Sequence, residues 1–168
     1  MKLIKSSLLA VVLLCLVTSC SKEYSGNITE EVNYSIDLNL AQETDWEFAD
    51  EILVLINEHR ISIGLSTISR DQQHASAYAV DHTKYMIEND RISHDNFSFR
   101  NNGMKNRGAK SVGEVVAYGY SNAESVVNAW LNSPSHKSVI EGPYAYSGFG
   151  VIQNPQGQYY FTQLFYRK

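Results

Sequence analysis

Both cysteines of the chain, Cys15 and Cys20, fall within its first twenty residues, inside or at the end of one apolar run. No disulfide can therefore form within the rest of the chain. Whatever folds after Cys20 has to be held by a hydrophobic core alone, the harder route for a small domain. The composition permits it. Of 168 residues, 43% are hydrophobic and 19% charged, which suits one ordinary domain and is short for two. The net charge of −4 at pH 7 gives no electrostatic reason to expect nucleic acid as a partner. One local basic spot stands out, since Arg100, Lys105, Arg107 and Lys110 fall close together.

The run itself reads as an export signal. "MKLIK" supplies a positive start, and "LLAVVLLCLV" is apolar but too short for a permanent membrane span. "LVTSC", ending at Cys20, resembles the lipobox of bacterial lipoproteins. That resemblance implies cleavage before the cysteine, a diacylglycerol on its thiol and a further acyl chain on the new N-terminus. Each buried CH₂ contributes ~0.8 kcal/mol, so two or more chains hold far more firmly than one. The expected organisation is a signal peptide over residues 1–19, then a lipidated Cys20 with a polar, acidic tether through residue 44. A single domain follows over residues 45–168. The expected location is the bacterial cell envelope, lipid-anchored outside the cytoplasm on the periplasmic or surface face, with the membrane as a partner.

The domain alternates helical and strand-like patterns. Asp45 or Thr44 caps a helix whose face is Phe48, Ile52, Leu55, Ile56, His59 and Ile63, ended by Gly64. A second helix is expected to open at Ser69, with Gln72 completing a capping box. Its stripe is Ala75, Tyr78, Ala79, His82, Tyr85 and Met86, and the small alanines suit close approach to a sheet. Residues 95–113 lose all period and read as a long irregular loop with at most a short helical turn. "EVVAYGY" (114–120) reads as a strand, and Ser121 with Glu124 opens a third helix. Ser133 and Pro134 then cap and start another turn. "AYSGFGVIQ" and "QYYFTQLFY", joined by "NPQG", form a hairpin around a type I turn. The order predicts an α+β domain with helices packed on an antiparallel sheet.

Of five histidines, His59 and His82 lie on apolar stripes and read as hydrogen-bonded core residues, and His74 as solvated. His94 and His136 differ, each standing at an element boundary among small polar residues. Glu114 differs too, opening an otherwise uncharged strand after Gly113. Two imidazoles and a carboxylate would match a catalytic zinc set with a fourth position for water. Without a metal, His94 and Glu114 would be a hydrogen-bonded pair anchoring a polar group. A serine hydrolase on Ser133 or Ser135 with His136 is disfavoured, because these serines read as helix caps and no Gly-x-Ser-x-Gly elbow occurs.

"LINEHRISIGLSTISRDQQHASAYAVDHTKYM", "ISH", "GEVVAYG", "VVNAWLNSPSHKSVI" and "YYFTQLFY", in that order, together resemble the CAP superfamily. This is the SCP-domain family of cysteine-rich secretory proteins, antigen five and pathogenesis-related proteins, here in its short, disulfide-free bacterial branch. The resemblance runs from about residue 48 to 166. It implies an α-β-α sandwich with a small antiparallel sheet between helices. It also implies a cleft with two histidines and two glutamates, which in some members hold a divalent metal. By motif, His94 and Glu114 match one histidine and one glutamate. The second glutamate falls on Ser133 and the second histidine on Tyr160, so half the tetrad is replaced. His136, three residues past Ser133, could supply the missing nitrogen, and Tyr160 would present a phenol to a ligand. Asn57, Arg60 and Trp130 match too, and read as structural.

The expected ligand-binding set is His94, Glu114, Ser133, His136 and Tyr160; the expected metal set is His94, Glu114 and His136, with zinc the candidate ion. The expected function is binding a small molecule, lipid, glycan or protein ligand through this cleft. The alternatives are a metal-assisted hydrolase of the envelope, with His94 and Glu114 as its catalytic candidates, and a structural envelope protein.

Overall fold

The computed structural model describes residues 32–168. The signal peptide, Cys20 and most of the tether lie outside the described residues. Helix α1 (Trp46–Ser62) is capped by Asp45, whose Oδ1 accepts from the Phe48 amide at 3.1 Å. It buries Phe48, Ala49, Ile52, Ile56 and Arg60. The chain turns at Gly64, in the left-handed region at φ +79°, and enters strand β1 (Ser69–Arg70). Helix α2 (His74–Glu88) follows, then α3 (Phe97–Lys105), β2 (Ser111–Tyr118), α4 (Ala123–Asn132), α5 (Pro134–Ile140), β3 (Tyr146–Gln153) and β4 (Tyr159–Arg167).

The sheet order is β1-β3-β4-β2, antiparallel except for β1, which runs parallel to β3. The α+β sandwich is thus as expected, but its sheet is mixed. Side chains alternate between its faces. Val115, Ala117, Phe149, Val151, Phe161 and Phe165 pack on α1 and α4, while Val116, Tyr160, Leu164 and Tyr166 face α2 and α3. Trp130 of α4 is buried and donates its indole Nε1–H to the Val116 carbonyl at 3.0 Å. Arg60 and Asn57 do structural work. The guanidinium donates to the carbonyls of Ser66, Ile140, Gly142 and Tyr144, and the amide closes two bonds with Ile68.

Four local expectations change. Residues 95–113, expected as an irregular loop, hold the nine-residue α3 and the start of β2. Ser69 starts no helix: it pairs with Tyr146 in β1, and α2 opens five residues later. The Asp71 carboxylate there accepts from the Gln73 and Ala75 amides, doing the capping. The α4 cap is Asn122 rather than Ser121. The expected tether is also shorter at its C-terminal end, because Leu38–Glu43 form a 3-10 helix against α2 that buries Ala41. Just after it, Thr44 Oγ1 donates to the Phe149 carbonyl at 2.6 Å and the Asp45 amide to the Val151 carbonyl at 2.9 Å. These bonds satisfy the margin of β3 beyond the short β1, so the domain needs this segment.

Asp45 holds two ends of the chain together. Besides capping α1, its Oδ2 accepts from the Tyr159 hydroxyl at 2.7 Å, and this bond, helped by burial, pushes the Tyr159 phenol up to about 12. Asp45→Ala should lower stability by about 1–2 kcal/mol in urea unfolding. It should also bring the Tyr159 titration down toward the ordinary tyrosine range.

Candidate functional site

The site is built where β2 passes under the connection between α2 and α3. Gly113 has no room for a side chain, since a Cβ there would lie 2.6 Å from the Tyr144 hydroxyl. The next residue, Glu114, points to the opposite face, where its side chain is only 2% exposed. A buried carboxylate needs a cation and hydrogen-bond donors. Arg100, one turn into α3 and equally buried, supplies both. Its Nε donates to Oε2 at 2.7 Å and its Nη2 to Oε1 at 2.8 Å, a two-point clamp. Its remaining Nη1 donates to the Asp95 carbonyl at 2.8 Å, tying the clamp to the loop before α3.

His94 sits in that loop. Its Nδ1 lies 2.8 Å from Glu114 Oε1, yet half of its side chain is exposed. Burial alone would raise the Glu114 carboxyl. The bonds from His94 and Arg100, with the guanidinium charge, outweigh that and hold it below the usual glutamate range. Glu114 is thus ionised at neutral pH and accepts, so the His94 Nδ1 carries the proton. In the neutral ring, Nε2 is then the acceptor.

Helix α2 pins the loop from behind. His82 Nε2 donates to the Ser93 carbonyl at 2.7 Å, and burial and the nearby Arg100 charge hold its imidazole below the usual histidine range. The Tyr85 hydroxyl donates to Asp95 at 2.9 Å, and Arg91 pairs with the same carboxylate. Asn96, left-handed at φ 56°, then turns the chain into α3. Facing His94 is His136 of α5, ring centroids 6.4 Å apart and planes tilted by 54°. Burial, and then the neighbouring His94, lower its basicity.

The family model described as the cysteine-rich secretory protein family, CAP, matches residues 53–165. The chain belongs to the CAP family. A membrane protein of Bacillus subtilis (strain 168), YlbC, named as uncharacterized, is 32% identical over 123 residues. The match takes in 70% of this chain but 34% of the relative, so the chain spans about a third of that protein's length. Among solved structures, an outer surface protein of Borrelia burgdorferi is 26% identical with a TM-score of 0.65, over 73% of this chain and 93% of that one. An extracellular SCP-domain protein of Bacillus anthracis is 28% identical with a TM-score of 0.58, over 71% of this chain and 40% of the other. A cysteine-rich secretory protein of Staphylococcus aureus, 18% identical with a TM-score of 0.61 over 76% of this chain and 40% of the other, shares the fold.

Within this CAP domain the expected site residues separate. His94, Glu114 and His136 gather, and Arg100, absent from the expected set, completes the group. Tyr160 does not join them. It is buried, its hydroxyl donates to Asp90 Oδ1 at 3.1 Å, and it lies four residues along β4 from Leu164, the partner of Glu114. That is about 13 Å of strand. Ser133 starts α5, but its hydroxyl meets that of Ser135 at 3.2 Å, and neither is bonded to His136. The His94–Glu114–His136 metal set also does not fit a divalent ion. Among the described residues no three His, Cys, Asp or Glu side chains have the spacing to hold one. Both Glu114 oxygens already accept from Arg100, whose fixed positive charge opposes a cation beside them.

Proposed function

We propose that this CAP domain works outside the cytoplasm, anchored by lipid at Cys20, and binds a polar ligand or protein partner through the His94 imidazole. The observation that carries this reading is the occupation of Glu114 by Arg100. A clamped, ionised and buried carboxylate is a poor general base and a good orienting group. It fixes the ring of His94, which stays half exposed beside His136, as a binding site needs. The export-type leader and the printed names of two relatives, an outer surface protein and an extracellular protein, support the location. No described helix is long and apolar enough to cross a membrane.

The test is a binding screen of the purified protein against glycans, peptides and lipids, followed by His94→Ala. A ligand found in the screen should bind at least about tenfold more weakly to the variant. The fold should survive with a modest loss of stability, since Arg100 still clamps Glu114 when the His94 bond is gone. Unchanged affinity would remove His94 from the role. Turnover of an ester, peptide or glycan that disappears in Glu114→Gln would establish the hydrolase instead.

A further inference from the structure

At the far end of α3 from His94, four elements converge on a second, polar pocket of about 700 Å³. Its walls come from the turn before α2 (Gln72) and the first residue of α2 (His74), the residues after α3 (Arg107), the start of β3 (Tyr146) and the residue after β4 (Lys168). Two features set it apart from ordinary wet surface.

One is an aromatic platform. Tyr146 is 37% exposed, and its ring stacks on buried Tyr166, centroids 5.1 Å apart and planes within 22°. Tyr166 is locked in turn, since its hydroxyl donates to Asp71 Oδ2 at 2.9 Å. The outer Tyr146 ring is thus presented flat and rigid, at little ordering cost to anything laid on it.

The other is charge. Arg107 and Lys168 have no carboxylate partner among the described residues. The Arg107 guanidinium is steadied from behind by its Nη1, which donates to the Gly103 carbonyl at 3.0 Å and the Tyr78 hydroxyl at 3.2 Å. Of the pocket's other charged groups, Arg70 pairs with Asp50, while the Asp71 carboxylate accepts only from neutral donors, two amides and the Tyr166 hydroxyl, and keeps its charge. Arg107 and Lys168 together outweigh that one carboxylate, so the side-chain charge left for a ligand is positive, on a chain whose net charge is −4.

We propose that this pocket binds an anionic saccharide. A pyranose ring would lie on the exposed face of Tyr146, and its carboxylate or phosphate would meet Arg107 and Lys168. Gln72 and His74 offer hydrogen bonds to ring hydroxyls. A flat aromatic face takes the C–H face of a sugar, while a guanidinium and an ammonium take its acid, and a simple anion would have no use for the platform.

The probes are a tetrasaccharide of galacturonic acid, neutral chitotetraose and inorganic phosphate, titrated into the full domain and followed by calorimetry and the NMR signals of the tyrosine rings. The acidic tetrasaccharide is expected to bind and shift Tyr146. The double variant Arg107→Gln/Lys168→Gln should weaken it about tenfold or more, and Tyr146→Ala about fivefold or more. His94→Ala should leave the affinity unchanged, which separates this site from the proposed cleft. Equal binding of inorganic phosphate, or indifference to Tyr146→Ala, would reduce the pocket to a nonspecific cationic surface and overturn the saccharide. No binding of the acidic tetrasaccharide at millimolar concentration, or stronger binding of chitotetraose, would overturn it as well.

Discussion

Arg100→Met is expected to cost about 3–5 kcal/mol of folding stability at neutral pH, because it strands the Glu114 carboxylate in a site 2% exposed. The loss should depend on pH in a defined sense. In the native protein the Glu114 carboxyl lies below its unfolded value. The pair's stabilisation is therefore complete above the unfolded glutamate range, and is lost as pH falls through the lower folded value. Without the guanidinium, burial dominates and the carboxyl rises. The variant then takes up a proton on folding and loses less at about pH 5 than at about pH 7. Urea unfolding at the two values measures this, and a pH-independent loss under about 1 kcal/mol would mean the carboxylate is solvated. Replacing both partners, Arg100→Met with Glu114→Leu, should recover much of the loss, since two apolar groups leave no buried charge. His94 would then lose its orienting partner, so stability and binding should part company in that variant.

Gly148→Ala should be about as damaging for a different reason. A Cβ at Gly148 would lie 2.2 Å from the backbone of Ala75 and Ser76, and one at Gly150 would lie 2.4 Å from the Ala79 carbonyl oxygen. Neither neighbour can rotate away, so α2 would have to lift off the sheet. The expected loss is about 3 kcal/mol, the upper end for overpacking, or roughly 10 °C in melting temperature. Because α2 also carries His82 and Tyr85, which pin the His94 loop, the substitution should disturb the site as well as the fold. An alanine variant melting within ~2 °C of the parent would show that the helix has slack there.

The elements that were legible in the sequence are those whose pattern is local. The α1 stripe with its Asp45 cap and the β3–β4 hairpin around Asn154 and Gly157 lie where the periodicity places them. The alanines of α2 signalled close packing, but their counterparts in "SGFG" carry no such mark until the strand is laid against the helix. Helix α3 was hidden because "FSFRNNGMK" holds two asparagines and a glycine, poor helix formers. Tertiary contacts hold it: Met104 in the core and Arg100 on Glu114. The same residue explains what was missed in the site. Arg100 stands in a run with Lys105, Arg107 and Lys110, which reads as a solvated basic spot. The available signal was Glu114, since an acid in an otherwise apolar strand demands a cation from elsewhere. Tyr160 was placed in the cleft by motif position alone, and the strand register carries it to Asp90 instead.

The Trp130 indole bond bears on how this protein keeps to itself. Strand β2 is the outermost strand beside β4, and on its far side the Val116 carbonyl accepts from an indole 2% exposed. A second chain adding a strand there would first have to pull Trp130 out of the core. Aggregation along that margin is thus opposed by the packing of α4, a safeguard that matters most wherever many copies of the chain are crowded together.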